Sequence, residues 1–260
     1  MPNIQNKNYN SYSKKQKNIL KLEKKYFILL EKILTHQRFT DELKLLANSI
    51  NTITRYVSSN AKKVNPCDLA VQRLLQYRLF IDRSLKGKIV GIYPSTISSD
   101  VAFVTKDAVI NIDTKTTRLE TNKNDWNTKI VGKNQASFKH KNLIPPRSKN
   151  LVAPINFLLD KEYKNKPVLS FVLSFFYSLD ESSNFFSWCR KFESNVKFAS
   201  VPNGDLSKLF RNEIIDGVKQ YIDPKKKWKG SSSIRISHNI LKERYDENGI
   251  QWSGFSAWKI

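Results

Sequence analysis

The chain has 260 residues, enough to bury a sizeable core, and 40% of them are hydrophobic and 12% aromatic, which argues against a disordered chain. Its 45 Lys+Arg outweigh 23 Asp+Glu for a formal net charge of +22, which favours a polyanionic partner such as nucleic acid. No apolar run reaches the roughly 18 residues of a membrane span and the polar N-terminus lacks a signal-peptide core, so no membrane association and a cytoplasmic location are expected.

Met1–Tyr12 is polar and rich in Asn and Lys. From Lys14 to about Gln37, Ile19, Leu20, Leu22, Tyr26, Phe27, Leu29, Leu30, Ile33 and Leu34 recur at helical spacing with a broad apolar stripe. Asp41–Tyr56 repeats the pattern through Leu43, Leu45, Leu46 and Ile50, with an N-cap near Thr40-Asp41. A third helix opens at Asn65-Pro66 and runs to about Leu85. It places Leu69, Val71, Leu74, Leu75, Leu79 and Phe80 inside and Arg73, Arg78 and Arg83 elsewhere, and Gly87 ends it. Lys88–Tyr93 reads as a short strand. Its Gly91-Ile92-Tyr93 matches half of a GIY-YIG nuclease motif, but no YIG follows.

The most informative stretch is Ser99 to Lys115. Two apolar-rich runs flank Lys106-Asp107, the pattern of a β-hairpin. With Thr105 opposite Ala108, Phe103 faces Ile110, Val101 faces Ile112 and Asp100 faces Asp113. Cross-strand partners share a face with Cβ atoms roughly 4.5–5.5 Å apart. Alternation along the strand adds Lys115 to that face. Two carboxylates and an ammonium then meet at one end of a hairpin, where like charges repel unless a cation lies between them. Mg²⁺, commonly held by one or two carboxylates and phosphate oxygens, is the cofactor expected there. The competing reading is a surface hairpin with incidental charges.

Asp100 followed by Asp113-Thr114-Lys115 resembles the PD-(D/E)xK nuclease core. Ile112–Thr117 and the spacing of the two aspartates are similar to the EcoRV/HincII group of type II restriction endonucleases. Ser99 stands where the motif has proline. No acidic residue is equated with the upstream helical glutamate of some members; Gln72 lies in the candidate helix, with Asp68 nearby. The resemblance implies an α/β fold, a restriction-endonuclease-like mixed central sheet flanked by helices. It also implies Mg²⁺ held by Asp100, Asp113 and the Thr114 carbonyl, catalysis by Asp100, Asp113 and Lys115, 5′-phosphate ends, and a homodimer on palindromic double-stranded DNA. A cognate DNA methyltransferase in the same system goes with such an enzyme. A repair or junction nuclease of the same superfamily, or a non-catalytic basic nucleic-acid-binding protein, are the alternatives.

Thr116–Pro146 is polar and basic. Thr116, Thr117, Arg118, Lys133, Asn134, Gln135, Ser137 and Lys139 are candidate DNA contacts, because basic groups can position phosphates and Asn or Gln can pair with adenine edges. A short helix is expected over Leu151–Leu159, a strong central strand over Pro167–Leu179, and an amphipathic helix over Asp205–Tyr221. Lys225, Lys226, Lys227, Lys229, Ser231, Ser232, Ser233 and Arg235 form a second candidate DNA-contacting run. Phe185, Phe186, Trp188 and Phe192 are expected to pack a subdomain, and Trp252, Phe255 and Trp258 to anchor the C-terminus. The organisation expected is one nuclease domain over 1–260: a helical region at 1–60, a catalytic core at 61–180 and an accessory DNA-binding region at 181–260. Cys67 and Cys189 are isolated, and His36, His140 and His238 form no metal-binding pattern.

Overall fold

The computed structural model describes residues 12–56, 66–93, 100–118, 126, 128–132, 166–180, 185–203, 218–223 and 228–260. Three N-terminal helices lead into the sheet: α1 (Lys14–Leu34), α2 (Gln37–Tyr56) and α3 (Pro66–Ile81). A capping box starts α1: Ser13 Oγ accepts from the Gln16 N–H at 3.2 Å, and Gln16 Oε1 accepts from the Ser13 N–H at 3.0 Å. Its buried stripe includes Ile19, Leu20, Tyr26, Phe27, Leu30, Ile33 and Leu34. The second helix starts four residues earlier than the sequence suggests. His36 Nδ1 accepts from the Arg38 N–H at 3.2 Å, so the imidazole caps the helix and Thr40 lies inside it.

On α3, Cys67, Val71, Leu75 and Leu79 form a buried row one turn apart. Two expectations for this helix are corrected. Leu69 is 56% exposed, because it lies off that row, and Arg78 is buried, where it pairs with Glu42 of α2. Leu45 of α2 is likewise exposed.

The main sheet has the order β1-β2-β3-β5-β7-β12, with β6 also paired to β5. Its strands are β1 (Ile89–Tyr93), β2 (Val101–Thr105), β3 (Val109–Arg118), β5 (Val168–Asp180), β6 (Phe185–Trp188), β7 (Val196–Val201) and β12 (Phe255–Trp258). The β2–β3 hairpin has the expected register, Val101 opposite Ile112 and Phe103 opposite Ile110. Tyr26 and Lys25 of α1 bond Asp107 in its turn, and these contacts with Thr105 hold that carboxyl below its ordinary range despite partial burial.

Strands β3 and β5 run parallel over ten paired positions, whereas the other pairings are antiparallel. The sheet is therefore mixed, as expected, with helices against it. One face carries Phe103, Ile110, Ile112, Phe171 and Phe198 into the large apolar core under α1–α3. Phe27 stacks on Phe198 at 5.1 Å, and Phe80 meets Phe103 edge-on at 6.4 Å. Phe186 and Trp188 of β6 join this core, while Phe185 and Phe192 are partly exposed.

The C-terminus closes back on the N-terminus. After α4 (His238–Lys242) come β10 (Arg244–Tyr245), β11 (Gln251–Trp252) and β12 at the sheet edge. Arg244 and Glu23 are both fully buried and ion-paired. Glu23 Oε1 also accepts from the Asn203 N–H at 2.6 Å, and Arg244 donates to the Ser200 carbonyl at 3.1 Å.

A second sheet has the order β4-β9-β8, with β4 (Thr128–Gly132), β8 (Val218–Asp223) and β9 (Trp228–Ser237). This corrects the C-terminal end of the helix expected over Asp205–Tyr221. Val218–Tyr221 belong to a strand, because ladder pairing with β9 overrides the local helical spacing. Residues 204–217, like the helix expected over Leu151–Leu159, lie outside the described residues.

Candidate active site

The site forms where β3 runs from apolar to polar sequence. Its first residues are buried in the sheet, and Asp113, Thr114, Lys115 and Thr116 follow. Asp113 is 2% exposed. Lys115 Nζ lies 2.7 Å from Asp113 Oδ2, while the lysine side chain remains 41% exposed. Burial pushes the Asp113 carboxyl up to about 7; Lys115 opposes this, and Asp100 and Asp68 add to it. Burial alone would lower Lys115, but Asp113, Asp100 and Asp68 outweigh it and the ammonium is held above its ordinary range.

Asp100 sits in the bend just ahead of β2. Its Oδ2 accepts from the Thr114 N–H and from Thr114 Oγ1, both at 2.6 Å. Its Oδ1 accepts from Gln72 Nε2 at 2.8 Å, and its backbone carbonyl accepts from Gln76 Nε2 at 3.1 Å. Thr116 Oγ1 donates to Asp68. The structure thus places Asp113, Thr114, Lys115 and Thr116 in β3 just beyond its pairing with β2, with Asp100 bonded to Thr114 and to α3 and Thr116 bonded to α3. The contacts made by Asp68, Gln72 and Gln76 went unread in the sequence. Their signal is a polar stripe at i, i+4 and i+8 on an otherwise apolar helix.

Thr117 is buried, and Arg118 donates to the Leu179 carbonyl at 3.3 Å. Lys229, Ser231, Ser232, Ser233 and Arg235 lie along β9, paired with β8, β4 or both. Lys133, Asn134, Gln135, Ser137, Lys139, Lys225, Lys226 and Lys227 lie outside the described residues.

The donor set suits a hard cation. Two carboxylates lie close enough to feel each other's charge, one of them buried, and Mg²⁺ prefers oxygen ligands of this kind. Among the described residues no group of three or more His, Cys, Asp or Glu is placed to hold a metal. The carboxylates of Asp100 and Asp113 could hold such a cation, the sparse protein ligation usual for Mg²⁺.

The fold is thus a mixed sheet with a parallel central pair and helices against it, with Asp113 and Lys115 paired on β3 and Asp100 bonded to Thr114 between them. The restriction endonuclease BglI, in a crystal structure bound to its DNA recognition sequence, superposes with a TM-score of 0.55 at 13% identity over 90% of each chain. Tetrameric SfiI bound to cognate DNA gives 0.51 at 14% identity over 97% of each chain. Comparison with curated protein sequences gives no match. The family model of the type II restriction enzyme MwoI, N-terminal domain, matches residues 16–181, well over half of the chain. The chain belongs to this family of type II restriction enzymes, and its activity is site-specific cleavage of DNA. No helix among the described residues is long and apolar enough to cross a membrane.

Proposed function

We propose that Asp100, Asp113 and Lys115 carry out Mg²⁺-dependent hydrolysis of double-stranded DNA, leaving 5′-phosphate and 3′-hydroxyl ends. The observation that carries this reading is the buried Asp113 carboxylate in the middle of β3, paired with Lys115 and close enough to Asp100 to feel its charge. Asp100, Asp113 and the Thr114 carbonyl would hold the cation. When bound, Mg²⁺ supplies Lewis-acid stabilisation of phosphoryl charge and acidifies a water. Asp113 orients Lys115 through their direct ion pair, and the partly exposed ammonium is free to face a scissile phosphate. There it stabilises charge as it develops and holds the attacking water in line with the P–O3′ bond. Thr114, with both its N–H and its hydroxyl on Asp100, fixes that carboxylate against the catalytic strand.

The net charge of +22 supports a large electrostatic contribution to DNA binding. The functional unit in this reading is a homodimer with one site for each strand of a palindromic target, and a DNA methyltransferase protects that target in the same system. The test is incubation of the purified protein with plasmid and Mg²⁺, with sequencing of the ends. Cuts at one fixed duplex sequence that vanish in folded Asp100→Ala and Asp113→Ala variants are the expected outcome. Cutting by either variant at the wild-type rate removes that residue from the mechanism.

A further inference from the structure

Asp100 carries no ladder pairing of its own, yet its carboxylate and its backbone carbonyl are both held. Gln72 and Gln76 reach them from successive turns of α3, at 2.8 and 3.1 Å. Thr114 holds the other carboxylate oxygen from the opposite side. One turn earlier on the same helix face, Asp68 accepts from Thr116, so three residues of one stripe grip both sides of the site. Gln72 is the member in contact with the Asp100 side chain. As a carboxamide it donates a hydrogen bond and adds no charge. A carboxylate at the same place would put a further anionic donor beside Asp100 and Asp113.

We infer that Gln72 is a positioning residue for Asp100, and that its neutrality keeps a further carboxylate, beyond the Asp68 already on this helix face, from adding to the negative charge around Asp100 and Asp113. Gln72 fixes the Asp100 rotamer so that the one acceptor position left on Oδ1 can meet the cation, and Gln76 fixes the backbone beneath it. The inference rests on the active-site reading above.

Two variants of Gln72 test it. Gln72→Met keeps length and volume but removes the donor; Gln72→Glu keeps the shape and adds the charge. In Gln72→Met the single-turnover cleavage rate with Mg²⁺ should fall by about tenfold or more, on the scale of one lost hydrogen bond to a charged group. Its affinity for target DNA in Ca²⁺ should stay unchanged. In Gln72→Glu, Ca²⁺ titrated calorimetrically into the protein without DNA should bind about tenfold tighter or more, because ligand charge sets the affinity of such sites. Wild-type cleavage by folded Gln72→Met, or wild-type Ca²⁺ affinity in Gln72→Glu, overturns the inference. The calorimetry alone decides if Gln72→Met fails to fold. Asp113→Asn separates the two levels. Wild-type cleavage by that variant overturns the active-site reading itself, whereas an inactive Asp113→Asn beside unaffected Gln72 variants overturns only the positioning role.

Discussion

Asp113→Asn should stabilise the metal-free protein at alkaline pH, by an amount that shrinks through mild acid and vanishes only near the unfolded carboxyl's 3.8. Burial lifts the Asp113 carboxyl from 3.8 to about 7 in the folded chain. Between those values the folded protein binds more protons than the unfolded one, so stability falls as pH rises, and above about pH 7 the whole contribution is gone. At about 1.36 kcal/mol for each tenfold change in proton affinity, the loss is on the order of 4 kcal/mol. Asparagine stays neutral and escapes it. Lys115 loses its partner in the variant, but its side chain is 41% exposed and water takes over the solvation, so 4 kcal/mol is a ceiling. For a chain of this size about 2 °C accompanies each kcal/mol, giving a rise of about 8 °C at most. The assay is thermal unfolding of both proteins in chelator from pH 5 to 8.5. The variant should lie above at pH 8.5, and at pH 5 the separation should shrink to roughly 40% of that value, because the unfolded carboxyl already ionises above 3.8. Mg²⁺ or Ca²⁺ should raise the wild-type midpoint and not that of the variant. Parallel curves across the pH range would refute the reasoning.

Lys115→Ala should slow single-turnover cleavage by about 10²–10⁴-fold at saturating protein while leaving target affinity in Ca²⁺ near the wild-type value; a loss of affinity alone reassigns the lysine to phosphate binding. Glu23→Ala leaves the fully buried Arg244 without its carboxylate and should cost about 3–5 kcal/mol in urea unfolding; a loss below 1 kcal/mol would contradict that burial. Asn134→Ala or Gln135→Ala should weaken discrimination against single-base variants of the target. Loss of Lys225, Lys226, Lys227 or Lys229 should instead weaken target and non-target binding together and reduce the salt slope by roughly 0.9 per phosphate contact. Competition binding in Ca²⁺ at several salt concentrations separates the two behaviours.

The hairpin was legible because two apolar-rich runs flank the polar pair Lys106-Asp107, which sets Val101 opposite Ile112 and Phe103 opposite Ile110. The long apolar run of β5 also read correctly as a central strand, since a strand buried on both faces needs no alternation. The start of α2 was illegible because the cap is a histidine imidazole rather than the hydroxyl or carboxylate of Thr40-Asp41. Leu69 misled because α3 meets its neighbours along a narrow row rather than a broad stripe, and Arg78 because its partner Glu42 lies on another helix. Strand β8 was missed for a similar reason, its partner being β9. At the site, the spacing of Asp100, Asp113 and Lys115 placed the charges on one hairpin. The sequence could not show that α3 supplies the residues gripping Asp100, because that contact spans 28 positions and a connection between elements.

The chemistry of the site also explains why it lies at the first residues of β3 beyond the pairing with β2, and not in the apolar ladder before them. An ionised carboxylate within the apolar ladder around Ile110 and Ile112 would lack compensation, and protonation would be its cheapest response. At Asp113 the strand is still deep enough to desolvate the carboxyl, which raises its proton affinity, but two positions later Lys115 already reaches solvent. The carboxylate is thus stabilised in either of two ways, by a proton or by a cation. Near neutral pH these compete on nearly equal terms, because the carboxyl titrates at about 7. Cation binding must then displace a proton from a fraction of molecules that grows as pH falls, so affinity for Ca²⁺ or Mg²⁺ weakens below pH 7 with up to one proton released per site. A carboxylate at the exposed edge of the hairpin would bind cations without this coupling, and with less of the field that burial provides.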